Sequence, residues 1–309
     1  MSFQFSVFSF QLRAGRREGA RPLGRFNLGS AEASRFSCGS LIRALKRTEG
    51  RAPWSLAAAF LALCALHTSF CGSAALAAEE PTPPEPADGP ALVRLVDAIA
   101  PVKDSELRGV LKIEAKGKVR KVPVICRAII HEGSWEAIYQ AFPTNGTVET
   151  LTVVRTPGAP NQYTYTVQPA GADTRAPAPG HRLTPAEAAG LAFGGSDFSA
   201  ADLGLDFLHW PQQKKLPGQM RLGQPCYVLE SRDTNAPEIV YVKSWIDKKR
   251  GGVLEAEGWD RKNKLIKSFS LSASDFKKID GQWQVGQLEI SNEKTDSITT
   301  LKYDLNEVK

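Results

Sequence analysis

The chain reads as a mainly β protein of the α+β class: one strongly curved antiparallel sheet of about 10–11 strands, covered by short helices. Three observations lead there. Short runs rich in Val, Ile, Thr, Tyr and Trp, several with period-two alternation, recur through 107–167 and again through 226–305. Turn signals at short intervals divide them, and short connections make antiparallel pairing the economical topology. Finally, 194–211, GGSDFSAADLGLDFLHWP, interrupts the strand pattern with helical spacing and large aromatics.

Targeting comes first along the chain. Arg43, Lys46, Arg47 and Arg51 precede an uncharged run over 53–78 that ends Ala75-Leu76-Ala77. A positive region, an apolar centre and an A-x-A end make a secretory signal, predicting export with cleavage near Ala77 or Ala78. An uncleaved signal anchor is the alternative, since the run is long enough to span a bilayer. Residues 1–53 then form a leader plus the positive region, with 1–45 either untranslated or a transit-like stretch; 54–78 hold the apolar region and cleavage site. The Pro-rich acidic stretch 79–90 is a linker, and 91–309 is one domain.

Within that domain, Leu92, Leu95, Val96 and Ile99 share one helical face, and Pro101 stops the helix. Leu107, Gly109, Leu111 and Ile113 alternate up to a turn at Ala115-Lys116-Gly117-Lys118. The next strand, 122–130, carries Pro123, which predicts an edge or a bulge. Thr144-Asn145-Gly146 joins strands 135–142 and 147–155 as a hairpin, because Asn-Gly supplies the positive φ angles of a tight turn. Strand 163–167 leads to a low-complexity loop, 169–180. Thr184-Pro185-Ala186-Glu187 has the order of a capping box, and so does Ser199 to Asp202. Six further strands, 226–231, 238–247, 252–259, 264–271, 283–290 and 298–305, complete a meander, with turns at 260–263 and Asp280-Gly281. Leu254 and Ala256 alternate with Glu255 and Glu257, so one face of this sheet is for water.

Charge and motifs exclude several function classes. Of 39 Lys+Arg and 33 Asp+Glu, ten and three lie in residues 1–78, which leaves 29 and 30 for the rest. The basicity belongs to the leader, so a nucleic-acid surface is not expected. His131, His181 and His209 are widely separated, without metal-site spacing, and the chain has neither a G-x-S-x-G elbow nor a P-loop. His209 is read as a helix-end residue, and Asp197 and Asp202 as residues of the helix start. No catalytic residue, metal site or cofactor is assigned, and the chain is read as no enzyme. Lys248, Lys249 and Arg250 form a basic turn, either a solvated hairpin tip or a transient contact for acidic headgroups. Cys126 and Cys226, each in an apolar strand, leave a disulfide or two buried free thiols open.

The SDF with its following DL helix, the strand end SWID, the paired strand LEAEGWDRKNKLIKSF and the closing FKKIDGQWQVGQLEISN resemble the outer-membrane lipoprotein-sorting (LolA/LolB-like) family in its uncharacterised bacterial branch. The resemblance covers roughly 92–305. It implies a half-barrel closed by helices, with a hydrophobic cavity for lipoprotein acyl chains or other lipid, a periplasmic location, an envelope transport partner and a monomeric carrier. Phe198, Leu203, Phe207, Trp210, Leu254 and Phe269 are the candidate cavity and lid residues; an ordinary core role is the other reading of the same six. Segment 196–210 is the expected lid. An envelope sensor or protein-binding module on the same half-barrel, without lipid, is the alternative function.

Overall fold

The computed structural model describes residues 85–171, 180–271, 276–279 and 282–305. The leader, the signal segment, the linker up to residue 84, the middle of the 169–180 loop and the Asp280-Gly281 turn lie outside them. Among the described residues no helix is long and apolar enough to cross a membrane.

Helix α1 spans Gly89–Asp97, a residue or two ahead of its expected start. The Asp88 carboxylate caps it by accepting from Ala91 N–H at 2.8 Å. Leu92 and Val96 are buried, on the face the spacing indicates. A first meander follows: β1 (Ser105–Ala115), β2 (Lys118–His131), β3 (Ser134–Ala141), β4 (Thr147–Arg155), β5 (Gln162–Pro169) and the three-residue β6 (His181–Leu183). The second holds β7 (Gln212–Arg221), β8 (Gln224–Arg232), β9 (Tyr241–Asp247), β10 (Val253–Trp259) and β11 (Leu265–Leu271). A separate hairpin of β12 (Phe276–Ile279) and β13 (Gln282–Val285) precedes β14 (Gln287–Asn292) and β15 (Ser297–Tyr303).

Thirteen strands form one antiparallel sheet in the order β6-β5-β4-β3-β2-β1-β15-β14-β11-β10-β9-β8-β7, not closed into a barrel. The two meanders meet where β1 pairs with β15. Across that seam Leu271, Leu288, Leu301, Leu111 and Val122 stand in register on neighbouring strands, all buried. Each such side chain contributes roughly 1.5–3 kcal/mol of burial, so this row anchors the centre of the concave face.

Helix α1 measures how far the sheet is rolled. Its Asp97 Oδ2 accepts from Gly158 N–H in the β4–β5 turn at 2.6 Å. At its other end Gly89 packs directly on the Gln213 backbone of β7. In a flat sheet, strands about 4.8 Å apart would separate those two contacts by roughly 50 Å, whereas the helix between them is only about 12 Å long. The wings therefore curl toward each other, and α1 lies between them.

Three local differences from the expectation have physical causes. Pro123 lies in β2, an interior strand, yet its nitrogen faces the end of β3, where the ladder finishes with Phe142 N–H donating to the Pro123 carbonyl at 3.0 Å. The expected strand 283–290 is two strands, parted at Gly286. Edge strand β7, QQKKLPGQMR, hides its period behind a register shift between Leu216 and Gln219, at Pro217 and Gly218.

Candidate functional site

Residues 184–211 connect β6 to β7, the two free edges of the sheet, so the chain must cross the concave face there. It does so through α2 (Pro185–Gly190), a 3-10 turn (Phe193–Gly195), α3 (Ala200–Gly204) and a second 3-10 turn (Asp206–His209). Both capping boxes form. Thr184 and Glu187 exchange bonds at the start of α2, and Ser199 and Asp202 do so at α3, at 3.0 and 2.8 Å. Leu205, left-handed at φ 54°, ends α3 and turns the chain toward β7.

The first half of the crossing is pegged into the core. Phe193, Phe198, Ala200 and Leu203 are buried against the sheet, and Gly194, left-handed at φ 60°, sits close above Leu111 and Ala141, where a side chain would be both strained and crowded. Backbone carbonyls of the crossing also accept from side chains of the sheet and its turns. Arg120 donates to Gly195 O at 2.5 Å, Asn161 to Gly204 O at 2.9 Å, and Arg155 also reaches Gly204 O. Asp197, expected at a helix start, instead accepts from the Ser297 and Thr299 hydroxyls of β15, both at 2.7 Å. Lys267 of β11 donates to Asp197 O at 2.9 Å and to Asp202 Oδ2 at 2.8 Å.

The second half has one buried peg, Leu208, and is otherwise held more lightly. Phe207 and Trp210 are half-buried, and one side chain, Gln213, donates to the Phe207, Leu208 and Trp210 carbonyls at 2.9, 3.3 and 3.0 Å. Tyr163 donates to Asp206 Oδ1 at 3.2 Å, and His209 Nε2 lies 4.0 Å from Asp97 Oδ1. Burial raises the Asp206 carboxyl above its ordinary range, against the lowering pull of the Tyr163 hydrogen bond, His209 and Arg155. Burial likewise lowers the His209 imidazole, opposed by Asp97.

Beneath this second half lies an apolar cavity of about 50 Å³. Leu205 and Phe207 roof it; Ile239, Val242, Ala256, Gly258, Phe269 and Ile290 form the rest, with Asp202 and Lys267 as its charged members. The space matches one or two waters, far below the roughly 300–1,000 Å³ of a typical ligand pocket. Of the six expected residues, the fold brings Phe207 and Phe269 together here. Phe198, Leu203 and Leu254 are buried core side chains outside the lining, and Trp210, half-buried against the core, is not part of it either. Sequence reasoning missed Ile239, Val242, Ile290 and Lys267. The strand alternation at 288–292 carried a signal for Ile290, but nothing local marks Lys267 as facing inward.

A larger open cleft of about 410 Å³ lies between the β1–β2 and β14–β15 turns. Lys116, Lys118, Glu293 and Asp296 are among its lining residues, so it is hydrated surface that offers an apolar ligand little. The basic turn is largely engaged within the protein: Arg250 pairs with Asp247 at 2.7 Å, and Lys248 lies over the Tyr227 ring and 3.8 Å from Glu85. Cys126 and Cys226 are free thiols on β2 and β8, so the disulfide left open by the sequence is not formed. Burial pushes Cys126 up to about 12 and Cys226 up to about 11, which keeps both thiols protonated at neutral pH. Among the described residues, no group of three His, Cys, Asp or Glu side chains is placed to hold a metal ion.

A curled antiparallel sheet with a helical crossing on its concave face defines the fold class, and two solved structures share it. A DUF1329 family protein from Desulfovibrio piger has 21% identity with the chain, over 67% of this chain and 85% of that one, at a TM-score of 0.53. A domain from Vibrio parahaemolyticus, described as an outer membrane lipoprotein-sorting protein domain, has 18% identity over 72% and 91%, at a TM-score of 0.55. A family model described as an uncharacterized protein matches residues 181–309. No curated protein matches the chain.

Proposed function

We propose that the chain is an exported carrier of the cell envelope that holds the acyl chain of a lipoprotein, or another lipid, on the concave face of the sheet. The observation that supports this reading best is the apolar cavity beneath Phe207, where the lightly held half of the crossing meets the sheet. In its present volume it admits only the end of a chain, so uptake requires the 206–210 stretch to swing outward while the pegged half stays in place. Burial contributes roughly 0.8 kcal/mol per methylene, on the order of 9 kcal/mol for a twelve-carbon chain. The Gln213 amide shares its two protons among three carbonyls and opposes release of the stretch by about 2 kcal/mol, and re-exposing the buried Leu208 adds roughly 1.5–3 kcal/mol, so chain burial is still large enough to open it. The carrier acts without catalysis, as a monomer in the periplasm after cleavage near Ala77 or Ala78, and passes its cargo to an envelope transport partner.

The small size of the cavity favours a second reading. A filled interior suits an envelope sensor or protein-binding module, in which a partner docks on the sheet or its edge. Titration of the exported protein with a fluorescent fatty acid separates the two. Saturable uptake, reversed by unlabelled fatty acid, is expected of the carrier. Absence of uptake under conditions where the protein is folded would replace it with the binding module.

A further inference from the structure

We propose that Lys267 makes the cavity selective for an acyl chain with an anionic head, a carboxylate or a phosphate monoester, over the same chain with a neutral head. This rests on the carrier reading above and names the class of ligand that the same site takes.

Lys267 sits on β11 two residues from Phe269, with the same orientation toward the concave face, so chain and head would meet adjacent side chains of one strand. Its side chain is only 16% exposed. Two of its three ammonium protons go to Asp202 Oδ2 and Asp197 O, and the third has no acceptor among the described residues. A largely shielded ammonium beside an apolar cavity rewards an anion more than an exposed one does, because fewer waters screen the pair.

Asp202 can give up Lys267 at small cost. Its carboxylate is 29% exposed and keeps the capping bond from Ser199 N–H when the ammonium turns away. An anionic head therefore competes for Lys267 with a partner that water can re-solvate, whereas an ester or alcohol head leaves the Lys267–Asp202 pair closed. The same exchange removes one tether between β11 and α3, which couples reading of the head to loosening of the crossing.

The test compares lauric acid, lauryl phosphate and methyl laurate, at about pH 8, where both acids are ionised, by displacement of a neutral fluorescent acyl probe from the full exported protein. The acid and the phosphate should bind about ten-fold or more tightly than the ester. Lys267→Met should abolish that difference, so that the variant binds the acid and the phosphate no more tightly than it binds methyl laurate. Asp202→Asn, which releases Lys267, should widen it, and this variant decides the matter if Lys267→Met does not fold. Equal binding of acid and ester by the wild type, a preference that survives in Lys267→Met, or one unchanged in Asp202→Asn would overturn the proposal and leave the carrier reading standing. If no acyl compound binds, both fall together. Tighter binding of the phosphate than the acid would assign a phosphate monoester head, and the reverse a carboxylate.

Discussion

A β-carbon on Gly204 would stand 2.0 Å from the hydroxyl oxygen of Tyr163. That hydroxyl donates to Asp206, and the Gly204 carbonyl accepts from Asn161 and Arg155, so the end of α3 is pressed onto the β4–β5 wing at a point where only glycine fits. Gly204→Ala should lower stability by about 1–3 kcal/mol through overpacking and the hydrogen bonds it parts. Gly190→Ala, where an added carbon meets nothing within 4 Å, is the control and should change stability by less than about 0.5 kcal/mol. Urea midpoints of the two variants give the comparison; equal midpoints would show that this contact does not hold the crossing.

Phe207 should matter for cargo more than for folding. It is half-buried on the lightly held stretch, whereas Phe198 and Leu203 are pegs of the core. Phe207→Glu places a charge in the roof of the cavity, so retention of a bound acyl chain should be lost while the far-ultraviolet spectrum stays native. Retention equal to wild type would remove the 206–210 stretch from the account. Phe198→Ala, by contrast, should cost about 3–5 kcal/mol of stability.

The His209 site predicts a pH dependence. Burial holds the folded imidazole below its unfolded value of about 6.5, with Asp97 and Asp206 opposing and Arg155 assisting. The unfolded chain then binds more protons just below that value, so stability is full above it and falls as pH falls through it. Asp206, raised by burial, works in the opposite sense: its share falls as pH rises from about 4 through its raised folded value. Between about pH 7.5 and 6 the histidine should dominate. The wild type should lose urea resistance over that interval and His209→Gln should lose less; identical slopes would place the titration elsewhere.

The meander was legible because its signals are local. Leu254 and Ala256 against Glu255 and Glu257 and the Ser199 and Thr184 capping boxes each depend on neighbours within four residues, and each forms; Asn145-Gly146 does join β3 to β4, but within a five-residue loop, 142–146, where Gly146 (φ 73°) and not Asn145 is left-handed. Elements whose partner is distant in sequence were harder to see. Strand β7 follows Pro211 with a broken period and owes its place to β8 and α1, and β6 is three residues held by β5. The site divides in the same way. Phe207 and Phe269 carry enough apolar bulk to be singled out, but that they face each other, while Leu254 and Trp210 do not join them, follows from the curl of the sheet. Lys267 looks like any solvated lysine of an alternating strand until Asp202, 65 residues earlier, is folded onto it.

Native mass spectrometry of the exported protein, purified gently from the envelope fraction of an expressing bacterium, tests the central claim most directly. A carrier should show a population with a bound lipid or acylated peptide, displaced by added fatty acid and missing from Phe207→Glu prepared in the same way. A single unliganded mass in the wild type, unchanged by added fatty acid, would contradict it and leave a filled half-barrel that works by binding another protein.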